Sequence, residues 1–247
     1  MSKDGLYAIF AQANQAFDNA NVISGDTQKA ERLYGEAILG YEKVIDEFGI
    51  KNPGLYYNLA NAYFLKGDIG RAILNYRRGE RLDPGNADIH KNLAFARSNR
   101  IDKIELKARE KVLKTLLFWH YDFSIKTRFL LACITFAVAC LALTFLLWRG
   151  RNNFIVTTAA VCGVIFICLF GSVVLSRVKM ASRTCGVVVA GEVIARQGDG
   201  ENYMPSFKEP LHAGTEFELL ESRDSWLHIK LADESQAWIE TGAAELI

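Results

Sequence analysis

Two uncharged stretches, Phe129 to Trp148 and Phe154 to Leu175, constrain this chain of 247 residues more than any other feature. A bilayer core is crossed by a helix of roughly 20 apolar residues, and both stretches reach that length. Soluble helices of this length carry a polar face. These offer only Thr135, Thr144, Thr157, Thr158 and Ser172. Trp119, Tyr121 and Phe123 precede the first stretch and Trp148 closes it, as aromatic side chains do at a membrane edge. Only Arg149-Gly150-Arg151-Asn152-Asn153 separates the two. A link that short predicts an antiparallel helical hairpin with both flanking segments on one side of the membrane. Neither stretch holds an acid, a base or a histidine, which argues against an ion or proton pathway.

Net charge divides the chain further. Residues 1–96 sum to about −1, residues 97–128 to about +5 and residues 183–247 to about −7, so a near-neutral total hides regions with different surroundings. Four of the five cysteines lie within the apolar stretches, where a thiol acts as a small hydrophobe; no disulfide framework or C-x-x-C pair is present. Met1 to Phe17 is interrupted by Lys3, Asp4, Gln12, Asn14 and Gln15 and lacks the continuous apolar region of a signal peptide.

Upstream of the spans, Tyr56, Leu59, Ala60 and Tyr63 fall on one helical face. The turn Lys66-Gly67-Asp68 follows, then Ala72 and Tyr76 on a second helix, closed by Leu82 and Pro84. Large, small and turn residues at these offsets, over about 34 residues, make 53–86 one tetratricopeptide (TPR) unit. Ala37 and Tyr41 repeat the Ala72/Tyr76 relation, with Leu6 to Asn19 as their partner helix carrying Ala13 and Phe17 inward. His90, Leu93 and Ala94 echo the first half of a further unit, but Arg97 stands where an aromatic is expected, so this helix reads as a cap. So short a stack gains from a neighbour to dock on. First helices line the concave surface of such arrays, which assigns Tyr57, Asn61, Phe64, Lys91 and Phe95 to a protein-binding groove, with Asn61 and Lys91 suited to a peptide carboxylate; helix packing is the competing role for these residues.

Lys103, Lys107, Arg109, Lys111 and Lys114 accompany apolar residues between Ile101 and Leu117, a composition that predicts a basic amphipathic helix at an anionic membrane surface. Its adjacency to a span and lack of interleaved stacking aromatics argue against nucleic-acid binding.

After Arg183 the pattern changes to short β-type runs: Val187 to Ala195, Glu216 to Glu221, Trp226 to Leu231, Ala237 to Ile239 and Leu246-Ile247, with a long polar loop over Arg196 to Pro210. This predicts a small barrel with Trp226 and Trp238 largely in its core. The runs Leu211-His212-Ala213-Gly214-Thr215, Trp226 to Leu231 and Ala237-Trp238-Ile239 resemble bacterial SH3 domains, in which a glycine at the Gly214 position supplies a turn. Asp233 to Trp238 departs from the usual glycine-containing hairpin, so a longer or strained turn is expected there. Some bacterial SH3 domains bind wall peptides, which nominates Tyr203 and Trp226 as a ligand face.

The expected architecture is therefore a multidomain membrane protein: α-helical TPR repeats over 1–100, a basic juxtamembrane helix over 101–124, a transmembrane α-hairpin from 125–148 and 154–176 joined by 149–153, and a small all-β SH3-like barrel over 183–247. That order resembles the BatE proteins of the Bacteroides aerotolerance operon. The resemblance implies a bacterial inner-membrane protein acting beside von Willebrand factor A-domain membrane proteins and a MoxR-type AAA+ ATPase. It also implies a periplasmic side for both soluble segments. Charge around the spans, taken alone, places them in the cytoplasm.

No metalloprotease, P-loop, nucleophile-elbow or dinucleotide motif occurs, and His90, His120, His212 and His228 have no metal-ligand spacing. No catalytic residue, metal, cofactor or small-molecule substrate is expected. The function expected is a membrane-anchored protein-interaction scaffold; the alternative is an envelope receptor for cell-wall peptide.

Overall fold

The computed structural model describes residues 3–23, 26–104, 116–121, 123–150 and 152–247, which fall into two compact units. The first joins Met1–Glu105 with Thr184–Ile247; the second is Leu106–Arg183.

In the first unit, five helices form an antiparallel stack: α1 (Lys3–Val22), α2 (Thr27–Phe48), α3 (Pro53–Leu65), α4 (Ile69–Leu82) and α5 (Ala87–Ser98). Their starts are written into the sequence. Asn52 Oδ1 accepts from the backbone N–H of Gly54 and Leu55, and Asn86 Oδ1 accepts from Asp88 and Ile89, so equivalent caps open α3 and α5 one repeat apart. Pro53 at the first helical position needs no backbone donor there. Asp68 caps α4 through the Arg71 N–H. The repeat's packing positions Tyr56, Leu59, Ala60, Tyr63, Ala72 and Tyr76 are all buried, as are Ala13, Ala37 and Tyr41.

The α5 helix departs from expectation. Ile89, Leu93 and Ala96 form its buried face, while His90 and Ala94 are exposed. In a complete unit those two positions face a second helix of the same repeat. Here the chain after α5 runs without helix over Ile101 to Ile104, so the basic helix does not begin at Ile101. Asp102 there is tied to the β region, and Ile104 packs against its core. Lys103 is exposed; Lys107, Arg109, Lys111 and Lys114 lie outside the described residues.

The β region comprises β1 (Cys185–Val188), β2 (Glu192–Val193), β3 (Leu211–His212), β4 (Glu216–Arg223), β5 (Trp226–Lys230), β6 (Gln236–Glu240) and β7 (Ala244–Leu246). It is an antiparallel five-stranded sheet in the order β6-β5-β4-β1-β7, with β2 and β3 in a separate two-stranded ribbon. The expected barrel is not closed: β6 and β7 are opposite edges of the sheet and do not pair. The β6 edge is met instead by the 196–205 loop, where Arg196 and Trp238 exchange backbone hydrogen bonds at 2.8 Å. Both tight hairpins use left-handed residues other than glycine, Asp224 (φ 44°) between β4 and β5 and Glu234 (φ 67°) between β5 and β6. The second is the turn where the sequence lacks its glycine.

The sheet's inner face contributes Val188, Phe217, Leu227, Ile229, Ala237 and Ile239 to one core. Trp238 is buried but sits on the other face, because alternate residues of a strand point to opposite sides. Its ring stacks on His228 at 4.7 Å and lies under the Arg223 guanidinium. Trp226 is only half-buried. The expectation of two largely buried tryptophans holds for Trp238, on the face opposite this core, and is corrected for Trp226.

The sheet docks on the helices. Val187, fully buried, belongs to the helical core beside Ile73 and Leu74. At Gly70 a Cβ would lie 2.8 Å from the Val188 carbonyl oxygen, so only glycine permits this approach of strand to helix. Gly214, at φ 91°, makes the turn between β3 and β4 beside Ile73. Polar contacts surround this apolar contact. Arg97 donates to both Glu216 oxygens at 2.7 Å, with Arg77 and Arg100 at 3.2 and 3.4 Å from the same carboxylate. Asp102 accepts from the His212 N–H at 2.7 Å and the Thr215 hydroxyl at 2.6 Å. Arg78 reaches Glu245 and the Leu246 carbonyl, and Arg81 donates to the Ile247 carbonyl. The partner that a short stack requires is supplied by the same chain.

The second unit contains a one-turn helix α6 (Phe118–Tyr121), then α7 (Ile125–Arg149) and α8 (Asn153–Ser182) packed antiparallel. Ile125–Trp148 and Asn153–Val178, 24 and 26 residues, are long and apolar enough to cross a membrane. Only 17% of the most apolar window of each is buried, unlike a soluble core helix. Near the start of α7, Arg128 is buried at 4% exposure. It donates to the Ser172 and Ser176 hydroxyls at 2.6 and 3.0 Å, with His120 at 3.2 Å. The arginine that directly precedes the first apolar stretch is thereby turned into the helix pair.

Candidate functional site

The groove residues of the repeat come together. Tyr57, Asn61 and Phe64 recur along one side of α3, and Lys91 and Phe95 stand one turn apart on the neighbouring α5. The Phe64 and Phe95 rings pack at a tilt with centroids 5.4 Å apart, and Phe95 is 60% exposed. Lys91 is exposed beside them. Tyr57 and Phe64 are half-buried, resting one side on the helical core.

Asn92 joins these residues and was missed in the sequence reading. Its Nδ2 donates to the Tyr57 hydroxyl at 3.1 Å and to Asn61 Oδ1 at 3.0 Å, bridging α5 to α3. Position alone distinguished it: it directly follows Lys91 on a helix whose buried face is Ile89, Leu93 and Ala96. Asn61 Oδ1 also accepts from the hydroxyl of Tyr76, a core residue whose phenol is pushed above its usual range by burial. Asn61 therefore braces the core as well as facing the groove. Its acceptor is occupied, which leaves the Nδ2 donors for a ligand carbonyl or carboxylate. The face as a whole offers aromatic area (Tyr57, Phe64, Phe95), amide donors and one lysine ammonium. Such a surface suits an extended polypeptide and has no nucleophile paired with a base.

The other nominated residues do not join this face. Tyr203, half-exposed, tops the 196–205 loop, its carbonyl held by Arg196 at 2.9 Å and its ring lying over Gly198. Met204 beside it is 71% exposed. Trp226 opens β5, paired with Arg223 on one side and Glu240 on the other. Among the described residues, no group of three His, Cys, Asp or Glu side chains comes together to hold a metal ion.

The electrostatics concentrate where the sheet meets the helices. Burial pushes the Glu216 carboxyl up, but Arg97, Arg77 and Arg100 outweigh burial and hold it below its ordinary value of 4.5. Burial acts likewise on Asp102, and its bonds from His212 and Thr215 bring it below 3.8. These carboxylates secure the docked sheet and are not placed for acid–base chemistry.

No curated protein matches the chain. A family model described as a TPR repeat matches residues 60–99. The match takes in Asn61, Phe64, Lys91, Asn92 and Phe95 and stops three residues short of Tyr57. TPR repeats are non-catalytic interaction modules that present extended concave surfaces to polypeptides, so the match supports a protein–protein interaction role for this segment.

Proposed function

We propose that the chain is a membrane-anchored adaptor that captures a partner polypeptide on the α3–α5 face, with the α7–α8 hairpin fixing the site at a bilayer. The carrying observation is the exposed Phe95 and Lys91 beside the Tyr57–Asn92–Asn61 bonds, all but Tyr57 within the TPR-matched segment. The order of repeat, apolar hairpin and β region, together with Gly214 and the strand tryptophans, supports reading the tail as SH3-like and the whole as an envelope protein of the Bat type. Von Willebrand factor A-domain proteins and a MoxR-type ATPase are then its partners, at the inner membrane and on the periplasmic side. The short link at 149–153 supports placing both ends of the chain in one compartment; epitope tags at Met1 and Ile247 that label on opposite sides would exclude the hairpin.

Asn61→Ala is a poor probe of this groove, because it strips the buried Tyr76 hydroxyl of its acceptor. Phe95→Ala combined with Lys91→Glu removes exposed area and reverses one charge without touching the core. We expect the pair to weaken co-purification of the partner from solubilised membranes by at least tenfold, about 1.4 kcal/mol, with circular dichroism unchanged. Capture at full strength would move the site elsewhere.

The exposed Tyr203 and Met204 favour one second reading, a receptor that binds cell-wall peptide through the β region. Retention of the full-length protein on purified wall material, lost in Tyr203→Ala and kept in the Phe95 variant, is the result that reading requires.

A further inference from the structure

Arg128 stands near the start of α7, directly ahead of the uncharged stretch that begins at Phe129. An arginine at such a place ordinarily extends its stem and leaves the guanidinium in the polar layer. This one is turned between the two helices and keeps 4% of its surface. Its hydrogen bonds there go to neutral oxygens. Nη1 donates to the Ser172 hydroxyl at 2.6 Å, the Ser172 carbonyl at 3.3 Å and the Ser176 hydroxyl at 3.0 Å, and it stands 3.2 Å from His120 Nδ1. A charge this deep calls for a countercharge, and no described carboxylate of this unit pairs with it.

Two donors at this spot are uncommitted. Among the guanidinium nitrogens, Nε is sealed from the surface; Nη2 is not, and it has no hydrogen bond among the described residues. The half-buried Ser176 hydroxyl accepts from Nη1, and no acceptor among the described residues takes its own proton. Chain position points to the acceptor. Arg128 precedes Phe129 and Ser176 follows Leu175, so the pair marks the same end of two uncharged stretches of bilayer length. At that end of a span the hydrocarbon core gives way to phosphodiesters, each carrying one negative charge on two open oxygens.

We propose that Arg128 Nη2 and the Ser176 hydroxyl bind the phosphate of a phospholipid at this end of the hairpin. The proposal rests on the hairpin lying in a bilayer. A phosphate supplies the countercharge that hydroxyls cannot, in charge-assisted hydrogen bonds. The planar guanidinium suits the task, because Nη1 holds α8 while Nη2 presents a second donor at a fixed angle.

The experiment is native mass spectrometry of the full-length protein. It is released from neutral-detergent micelles that carry equal amounts of palmitoyl-oleoyl phosphatidylglycerol and the matching diacylglycerol, which has the same chains and no phosphate. We expect phosphatidylglycerol adducts to exceed diacylglycerol adducts at least fivefold. Arg128→Gln should bring that ratio close to one. Ser176→Ala, a change that helices tolerate, should lower it at least twofold. Arg177→Gln, at an exposed arginine one residue further on, should leave it unchanged. A wild-type ratio near one, a ratio that survives both Arg128→Gln and Ser176→Ala, or a ratio that collapses in Arg177→Gln overturns the proposal while the hairpin stands. Retention of neither lipid would contradict the bilayer placement, and the site with it. Loss of the phosphatidylglycerol adducts to inorganic phosphate at the lipid's own concentration overturns the lipid source, since the free ion would then suffice.

Discussion

Glu216 stands within ion-pair distance of Arg77, Arg97 and Arg100, and this count sets what its loss does. Removing the one carboxylate leaves Arg97 and Arg100 without an ion-pair partner among the described residues and Arg77 with Glu80 alone, in a partly buried site. Breaking a buried pair from one side costs about 3–5 kcal/mol. We expect Glu216→Gln, which retains hydrogen-bonding capacity but not charge, to lower the stability of the first unit by about 3 kcal/mol at pH 7 in chemical denaturation. The pH dependence follows from the depressed titration of Glu216 and Asp102 in the folded state. Their contribution is complete above the ordinary values of 4.5 and 3.8 and is lost as pH falls through the lower folded values. Wild-type stability should therefore drop steeply below about pH 4.5, and the gap to Glu216→Gln should close over that range. A gap that stays constant into acid would mean that the charge of Glu216 contributes nothing.

At the scale of elements, the docking of β1 against α4 depends on Gly70. The atom a side chain would meet is the Val188 backbone carbonyl, which cannot rotate aside. Gly70→Val should cost roughly 1–3 kcal/mol by overpacking, read as a lower melting temperature of the full-length protein. An unchanged melting temperature would mean that sheet and helices do not pack in this way. The same contact shows which elements were legible in advance. Helices α2 to α4 announce themselves through local signals: caps at Asn52 and Asp68, a turn at Gly67, and apolar residues three and four apart. Strands β4, β5 and β6 do so by alternation and by their turns. What local signals do not carry is which surface meets which. Arg97 broke the repeat pattern because its partner, Glu216, lies far along the chain in a different kind of structure. Trp238 is buried as its residue type predicts, yet strand parity puts Ala237 and Ile239 in the sheet's inner core and leaves the indole against His228 and Arg223. Asn92 carried no motif, and it matters only because α5 brings it against Tyr57 and Asn61. Arg128, just ahead of an uncharged stretch, gave no sign that two serines of α8 would surround it.

For the whole molecule, the segregation of charge takes on a second meaning. The acidic β region spends Glu216 and Glu245 on arginines of α4, α5 and the residues just after, so part of its negative balance is answered within the chain. The repeat thereby has one surface closed by the sheet, while the α3–α5 face stays open in a segment with the TPR signature. The second unit holds two helices long and apolar enough to cross a bilayer. The most direct test is photo-crosslinking in native membranes, with p-benzoylphenylalanine placed at position 95 and, separately, at position 203. We expect a discrete protein adduct from position 95 that is suppressed by Lys91→Glu. Position 95 without any protein adduct, beside one at position 203, would contradict the groove and place partner binding on the β region.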